Sequence, residues 1–171
     1  AHYGSMQDKF RPITDPTYPR NAGYIPMVEG WANVTDEIFA REYYTGLPGP
    51  SGGLARVAAA YALVEDIPWY REHNVVGINS EALSVWGNAG LNFYLAAKMM
   101  WDVQTDVEAT LDDYFAGMYG PAAEPMRAYF ETIRDIVRER YLKAGRVFRE
   151  EDFPPLRALL FPRYQPSATL H

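Results

Sequence analysis

The stretch that decides the fold is HNVVGINSEALSVWGNAGLNFYLAAKMMW, residues 73–101. It begins with a short apolar run over 75–78, continues with Asn79, a serine and Glu81, and passes through a glycine-containing loop. This order predicts a strand, a polar strand end and a returning helix over about 88–101. Chemistry in α/β barrels and doubly wound sheets concentrates at the carboxyl ends of strands, so Glu81 is the first functional candidate. The alternative interpretation is a solvated loop carboxylate, or a charge at a helix N-terminus that interacts with the helix dipole.

A second apolar run precedes a carboxylate nearer the N-terminus. Residues 23–31, GYIPMVEGW, are expected to form a strand over 24–28 that ends in Glu29 and Trp31, although the proline within it removes a ladder donor. If Glu29 and Glu81 both end strands, the two carboxylates are candidates for an acid and base pair. The alternative is a loop carboxylate followed by a core tryptophan.

The segment between these two runs determines how the strands are connected. Residues 36–46 have helical composition, and they are also compatible with a short strand over 39–44 that delivers Tyr43 and Tyr44 to a cleft. The helical apolar spacing over 54–72 then places a helix before the strand at 75–78. A helix between two strands is typical of a βαβ unit and favours a parallel sheet.

The C-terminal half has helical periodicity. Residues 105–108, TDVE, fit a capping box that opens a helix through Gly117, and a second helix starts near Pro121 and runs to about Lys143. The apolar stripe between 126 and 141 is expected to pack in the core. A partner surface is the alternative for this stripe.

Composition narrows the class of protein. The 171 residues suffice for one domain, and a net charge of −6 with no basic run argues against nucleic acid. No apolar run approaches the roughly 20 residues of a membrane span. With no cysteine and three scattered histidines, neither a metal site nor a cofactor is expected. Aromatic residues make up 15%, which suits a sugar or peptide cleft and equally a large core.

Three segments carry a resemblance to a known family. GINSEA (77–82), LNFYLAAKMMWD (91–102) and DVEATLDDYFAGMYGPAAEPMRAYF (106–130) are similar to the C-terminal part of the family called domain of unknown function 4838. The similarity is clear over about 60–135 and looser over 24–46. That family looks like a (β/α)8 barrel of the glycoside hydrolase type.

The resemblance implies the fold class and the domain organisation. We expect an α/β fold in which residues 1–101 form the C-terminal part of a (β/α)8 TIM-type barrel. Residues 102–171 would be a helical C-terminal block packed on it. The residue pattern by itself also allows an α-rich fragment with a small sheet. The missing N-terminal half of the barrel, or a second copy of the chain, is the expected protein partner.

The resemblance also implies a carbohydrate setting. We expect a glycoside hydrolase-like domain that acts on an oligosaccharide or polysaccharide, with Glu81 and Glu29 as the catalytic candidates. The expected substrate-binding residues are aromatic rings that stack on sugars and amides that bind hydroxyls: Trp31, Tyr43, Tyr44, Trp86, Asn79 and Asn88. A non-catalytic carbohydrate-binding or scaffold domain is the alternative, and whether the chain is an enzyme stays open. The compartment is also open, with a secreted or periplasmic location slightly favoured.

Overall fold

The computed structural model describes residues 11–15, 21–44, 54–81 and 86–144. Its elements in chain order are α1 (Asn21–Ala32), β1 (Ile38–Glu42), α2 (Leu54–Glu72), β2 (Val75–Ser80), α3 (Trp86–Trp101), α4 (Val107–Tyr119), a 3-10 turn (Gly120–Ala122) and α5 (Ala123–Ala144). No helix among the described residues is long and apolar enough to cross a membrane.

The centre of the fold is a βαβ unit. Strands β1 and β2 pair in parallel, with Phe39 beside Gly77 and Arg41 beside Asn79, and α2 connects them. The sequence-based predictions of this helix and of the strand that follows it are confirmed. Within the described residues the sheet has two strands, so the expected (β/α)8 barrel stays a prediction.

The two sides of the sheet differ in burial. Ala40 and Glu42 are buried on the side that α1 and α2 cover, which we call the covered face. Phe39 and Arg41 alternate with them and lie on the other side, the open face, where Phe39 is 63% exposed. This alternation follows from the two-residue repeat of a strand.

The expected strand over 24–28 is wrong, because these residues belong to α1. Tyr24 and Val28 are four residues apart, and both are buried against Tyr70 and Ala40. A helix places such a pair on one face, and the proline is accommodated inside it. Glu29 and Trp31 therefore lie near the end of a helix and do not end a strand. For the described part of the 36–46 segment, the strand alternative is the correct one, since β1 spans Ile38–Glu42.

Helices α2, α3, α4 and α5 enclose a second core beside the sheet. Its buried side chains come from α2, α3, α4 and α5: Val57, Ala58, Leu91, Leu111, Phe115, Phe130, Ile133 and Val137. Phe130, Ile133 and Val137 belong to the apolar stripe of the last helix, so the expectation that this stripe packs in the core is confirmed for them. A partner surface is not needed to explain their pattern.

The N-terminus of α4 lies one residue later than the capping box predicts. Asp106 is the cap, and its carboxylate accepts the Ala109 backbone N–H at 3.0 Å. The Thr105 hydroxyl is instead used by the preceding turn, where it donates to the carbonyl oxygens of Lys98 and Asp102. The hydroxyl is therefore already committed, and the aspartate takes the capping role.

We expect Asp106→Ala to lower the free energy of unfolding by about 1 kcal/mol, since the first turn of α4 loses its side-chain acceptor. Asp106→Asn keeps an acceptor oxygen and should retain most of the stability. Urea unfolding followed by circular dichroism measures both variants. Equal stability of the alanine and asparagine variants would contradict the assignment of the cap.

Candidate functional site

The carboxyl edge of the sheet brings Glu81 next to the end of β1. The Glu81 backbone N–H donates to the Glu42 carbonyl oxygen at 2.9 Å, which extends the parallel ladder by one residue beyond β2. Glu81 is therefore held by the sheet and is not a freely moving loop residue. This position is where α/β proteins place functional side chains.

Arg41 connects the polar side chains of the open face. Its guanidinium donates to the Asn79 side-chain oxygen and forms an ion pair with the Glu81 carboxylate. The same guanidinium lies 5.4 Å from the ring centroid of Tyr43. Residues about 40 positions apart in the chain thus form one cluster, which we call the Arg41 cluster: Arg41, Tyr43, Asn79 and Glu81.

The Arg41 cluster is accessible and charged. The side chains of Arg41 and Glu81 are 30% and 43% exposed. Hydrogen bonding to Tyr43, and then the negative charge of Glu81, raise the pKa of Arg41, so the guanidinium stays a cation. A partly exposed ion pair contributes little to stability, because water screens the attraction between the two charges. Its main consequence is to fix where the Glu81 carboxylate and the Asn79 amide point.

A buried polar cluster lies on the opposite, covered face. The Glu42 carboxylate accepts a hydrogen bond from the Tyr70 hydroxyl, and the hydroxyls of Tyr70 and Tyr24 are 2.5 Å apart. Asp66 is also buried and accepts the Ile13 backbone N–H at 2.6 Å. A buried carboxylate is costly unless it is hydrogen-bonded. The hydrogen bonds of Glu42 and the two tyrosines link β1 to α2 and α1, and the Asp66 contact links α2 to the segment that precedes α1.

Burial and this carboxylate together change the acidity of the nearby tyrosines. Burial raises the pKa of Tyr24, Tyr44 and Tyr70 above the usual value, and the charge of Glu42 raises each further. The three phenols therefore stay protonated at neutral pH. In this state Tyr70 has a proton to donate to Glu42.

The backbone after β1 is fixed from two directions. The Tyr44 N–H donates to the Ser80 hydroxyl at 3.2 Å, and the Asn92 side-chain amide donates to the Tyr44 carbonyl oxygen. Asn92 is completely buried on α3. The chain that leaves β1 beside the Arg41 cluster is thus connected to β2 and to α3.

The structure brings together only some of the site residues that were predicted from the sequence. Asn79, Glu81 and Tyr43 meet in the Arg41 cluster, where Tyr43 is buried beneath the guanidinium. Tyr44 lies in the core with Leu63 and its neighbours, so its ring belongs to the packing. A stacking role for Tyr44 is not compatible with this burial.

The remaining predicted site residues lie on helices. Glu29 is exposed on α1, which packs on the covered face, so the structure does not join it to Glu81. Trp31 is 58% exposed and lines a cavity of about 380 Å³ between α1 and the amino half of β1. Trp86 begins α3 and is also exposed, with its ring 5.1 Å from that of Phe93. The side chain of Asn88 is not among those that the structure describes.

Sequence reasoning missed Arg41, Glu42 and Tyr70. A signal was present in the order Phe39 to Tyr44, because an arginine and a glutamate next to each other in a strand must face opposite sides of the sheet. A charge pair of this kind within a half-buried strand indicates two polar networks, one on each face. No group of three or more metal-ligating side chains occurs among the residues that the structure describes.

Comparison with known proteins identifies one family. The family model described as "Domain of unknown function (DUF4838)" matches residues 5–132 of the 171. No curated protein and no solved structure matches the chain significantly.

We expect Tyr70→Phe to lower the free energy of unfolding by about 1–3 kcal/mol, because the buried Glu42 carboxylate loses a hydrogen-bond donor. Tyr129→Phe is the matched control, since Tyr129 is exposed on α5 and its change should stay within about 0.5 kcal/mol. Chemical unfolding at pH 7 measures both variants. Equal stability of the two would mean that the Tyr70 hydroxyl does not support Glu42.

The raised tyrosine pKa values predict a loss of stability in alkali. In the unfolded chain a tyrosine ionises near pH 10, whereas Tyr24, Tyr44 and Tyr70 hold their protons to higher pH in the folded state. Their contribution is fully present below about pH 10 and is lost as the pH rises above it. Urea unfolding between about pH 8 and 11.5 tests this. Tyr44→Phe, which removes one of the three groups, should show a shallower decline than the wild type.

Proposed function

The chain belongs to the DUF4838 family of domains of unknown function, and from that premise we propose that it is a carbohydrate-active domain of the glycoside hydrolase type. Glu81 supplies one of the carboxylates of its active site. The wider sheet of the proposed barrel is completed by strands other than the two described here. The observation that carries the proposal is the Arg41 cluster at the carboxyl edge of two parallel strands.

The chemistry of the cluster supports a sugar as the ligand. A carboxylate and an amide oxygen accept hydrogen bonds from hydroxyl groups, and the guanidinium donates to ring or hydroxyl oxygens. Arg41 and Glu81 carry opposite charges, so together they add no net charge to the open face. Such a surface suits a neutral, hydroxyl-rich ligand better than a phosphate or a nucleic acid.

Glycosidic cleavage needs a proton donor and a second carboxylate on the other side of the bond. Glu81 is hydrogen-bonded to a cation, which suits the carboxylate role of nucleophile, base or hydroxyl ligand. The same contact makes Glu81 less suited to the role of proton donor. In the two strands and the residue after each, Glu81 is the carboxylate of the open face, whereas Glu42 is buried on the covered face. The proton donor in this proposal therefore comes from another part of the protein.

A non-catalytic carbohydrate-binding or scaffold domain is the second candidate. The observation that favours it is that Glu29, the expected partner of Glu81, lies on α1 at the covered side of the sheet. A single carboxylate with an arginine and an amide is sufficient to bind hydroxyl groups without breaking a bond.

We expect the protein that carries the complete proposed barrel to hydrolyse at least one member of an aryl-glycoside panel that includes glucuronides and N-acetylhexosaminides. Glu81→Gln should reduce kcat at least about 100-fold while the far-ultraviolet circular dichroism spectrum is unchanged, since the variant keeps the shape of the side chain and removes its charge. Release of the aryl group, followed by absorbance, measures the rate.

Two further variants make this test decisive. Glu72→Gln, an exposed carboxylate at the end of α2, is the matched control and should keep the wild-type rate. Glu29→Gln tests the expected pair, and a comparable loss in this variant would restore Glu29 as the partner of Glu81. Hydrolysis that persists in Glu81→Gln would exclude Glu81 as a catalytic carboxylate. Sugar binding with no hydrolysis would favour the binding domain.

A further inference from the structure

We propose that Ser80 is a positioning residue of the candidate site, and that its hydroxyl holds the backbone of Glu81 in the place that a catalytic carboxylate requires. This inference rests on the proposed function and adds a residue to the same site. Ser80 does not belong to the Arg41 cluster, and it is not among the site residues predicted from the sequence.

The Ser80 hydroxyl contacts the backbone beyond the end of each strand. It accepts the Tyr44 backbone N–H at 3.2 Å and donates to the Glu81 carbonyl oxygen at 3.3 Å. A serine hydroxyl has one proton to donate and lone pairs that accept, so it makes both hydrogen bonds at once. One oxygen atom therefore connects the segment that leaves β1 to the segment that leaves β2. The Tyr44 side of this connection is anchored to α3, because the buried Asn92 amide donates to the Tyr44 carbonyl oxygen.

This connection lies where the regular pairing of the strands stops. The paired residues end with Glu42 and Ser80, and the Glu81 N–H adds a further ladder hydrogen bond to the Glu42 carbonyl oxygen at 2.9 Å. Backbone groups that leave a ladder and are shielded from water need other hydrogen-bond partners. The Ser80 hydroxyl supplies a partner to one N–H and to one carbonyl oxygen at this point.

Ser80 acts from the side of the sheet opposite to the Glu81 carboxylate. It is paired with Glu42, and residues paired across two strands share a face, so the Ser80 side chain lies on the covered side. Glu81 follows it in the chain, and its carboxylate contacts Arg41 on the open face. The hydroxyl thus fixes the Glu81 backbone without occupying the space of a substrate.

The position of Glu81 is consequently fixed at three points. Its N–H is held by Glu42, its carbonyl oxygen by Ser80 and its carboxylate by Arg41. Misplacement of a reacting group by about 1 Å can cost about 100-fold in rate. The loss of one of the three attachments should therefore lower kcat.

Amide hydrogen exchange, measured by nuclear magnetic resonance, tests the connection without any substrate. Ser80→Ala should speed the exchange of the Tyr44 and Glu81 amides at least about tenfold, because the two strand ends lose their common partner. The amide of Leu95, which is buried in the core on α3, should exchange at the wild-type rate. Ser80→Thr keeps a hydroxyl and should retain the wild-type exchange of all three amides.

Thr35→Val is the matched control for the removal of a hydroxyl. The Thr35 hydroxyl also accepts a backbone N–H, that of Glu37 at 3.2 Å, but it lies just before β1, at the opposite end of the sheet. Its removal should leave the exchange of the Tyr44 and Glu81 amides unchanged. Circular dichroism of each variant verifies that the fold is intact.

Kinetics test whether the connection serves catalysis. In the protein that carries the complete proposed barrel, Ser80→Ala should lower kcat about tenfold and change KM less than about twofold, because the hydroxyl orients Glu81 and does not touch the substrate. Ser80→Thr should restore the wild-type kcat. Thr35→Val should leave both constants unchanged.

The outcomes separate this inference from the proposed hydrolase. Exchange that is unchanged in Ser80→Ala would overturn the inference, and so would faster exchange that extends to Leu95, since the effect would then be general. Faster local exchange with an unchanged kcat would overturn the positioning role, while a loss of kcat in Glu81→Gln would still support the hydrolase. If the wild type hydrolyses no glycoside, the hydrolase and the positioning role both fail, whereas faster local exchange would still support the hold of Ser80 on the Glu81 backbone.

Discussion

The parallel pairing of β1 with β2 is the constraint on which the rest of the structure depends. Parallel strands need a long crossover, and α2 supplies it on one side of the sheet. The placement of this helix makes one face covered and the other open. Because side chains alternate along a strand, the adjacent residues Arg41 and Glu42 lie in different environments, one on the open face and the other buried on the covered face.

The covered face shows how a charged residue is tolerated in a core. Glu42 is almost fully buried, and burial of an isolated carboxylate would be prohibitive. The Tyr70 hydroxyl donates to it, and Tyr24 is hydrogen-bonded to Tyr70 in turn. This arrangement connects β1 to two helices at once. It thereby holds the backbone that carries Arg41, on the other face, in a defined position.

The open face uses the same backbone for a different purpose. The Arg41–Glu81 ion pair is too exposed to contribute much stability, so its main effect is to orient the side chains that it contacts. Arg41 directs Glu81 and Asn79 toward one point, and the glycine in β2 leaves space for the Phe39 ring. A surface that is apolar at one end and hydrogen-bonding at the other is an unusual face to leave on a sheet unless a ligand or further protein covers it.

The sequence by itself determined the elements with a long, regular period and a clear start or end. The helix over 54–72 and the two C-terminal helices were predictable, since an amphipathic pattern of ten residues or more fits only one type of element. The short strand after the first of these helices was predictable from its apolar run, which ends in polar residues. Glu81 was also predictable as the end of that strand. The family of the chain was recognisable from residues 77–130, and the family match confirms it.

Only the tertiary structure decided the secondary structure of the short segments and the contacts between residues that are distant in the chain. The run that contains Tyr24 and Val28 suits a strand or a helix equally well, and packing against Tyr70 selected the helix. The cap of α4 moved to Asp106 because Thr105 was already used by a neighbouring turn. Arg41 and Glu81 are 40 residues apart, and no local pattern reports a contact at that separation, because it exists only once the ladder has aligned the two strands.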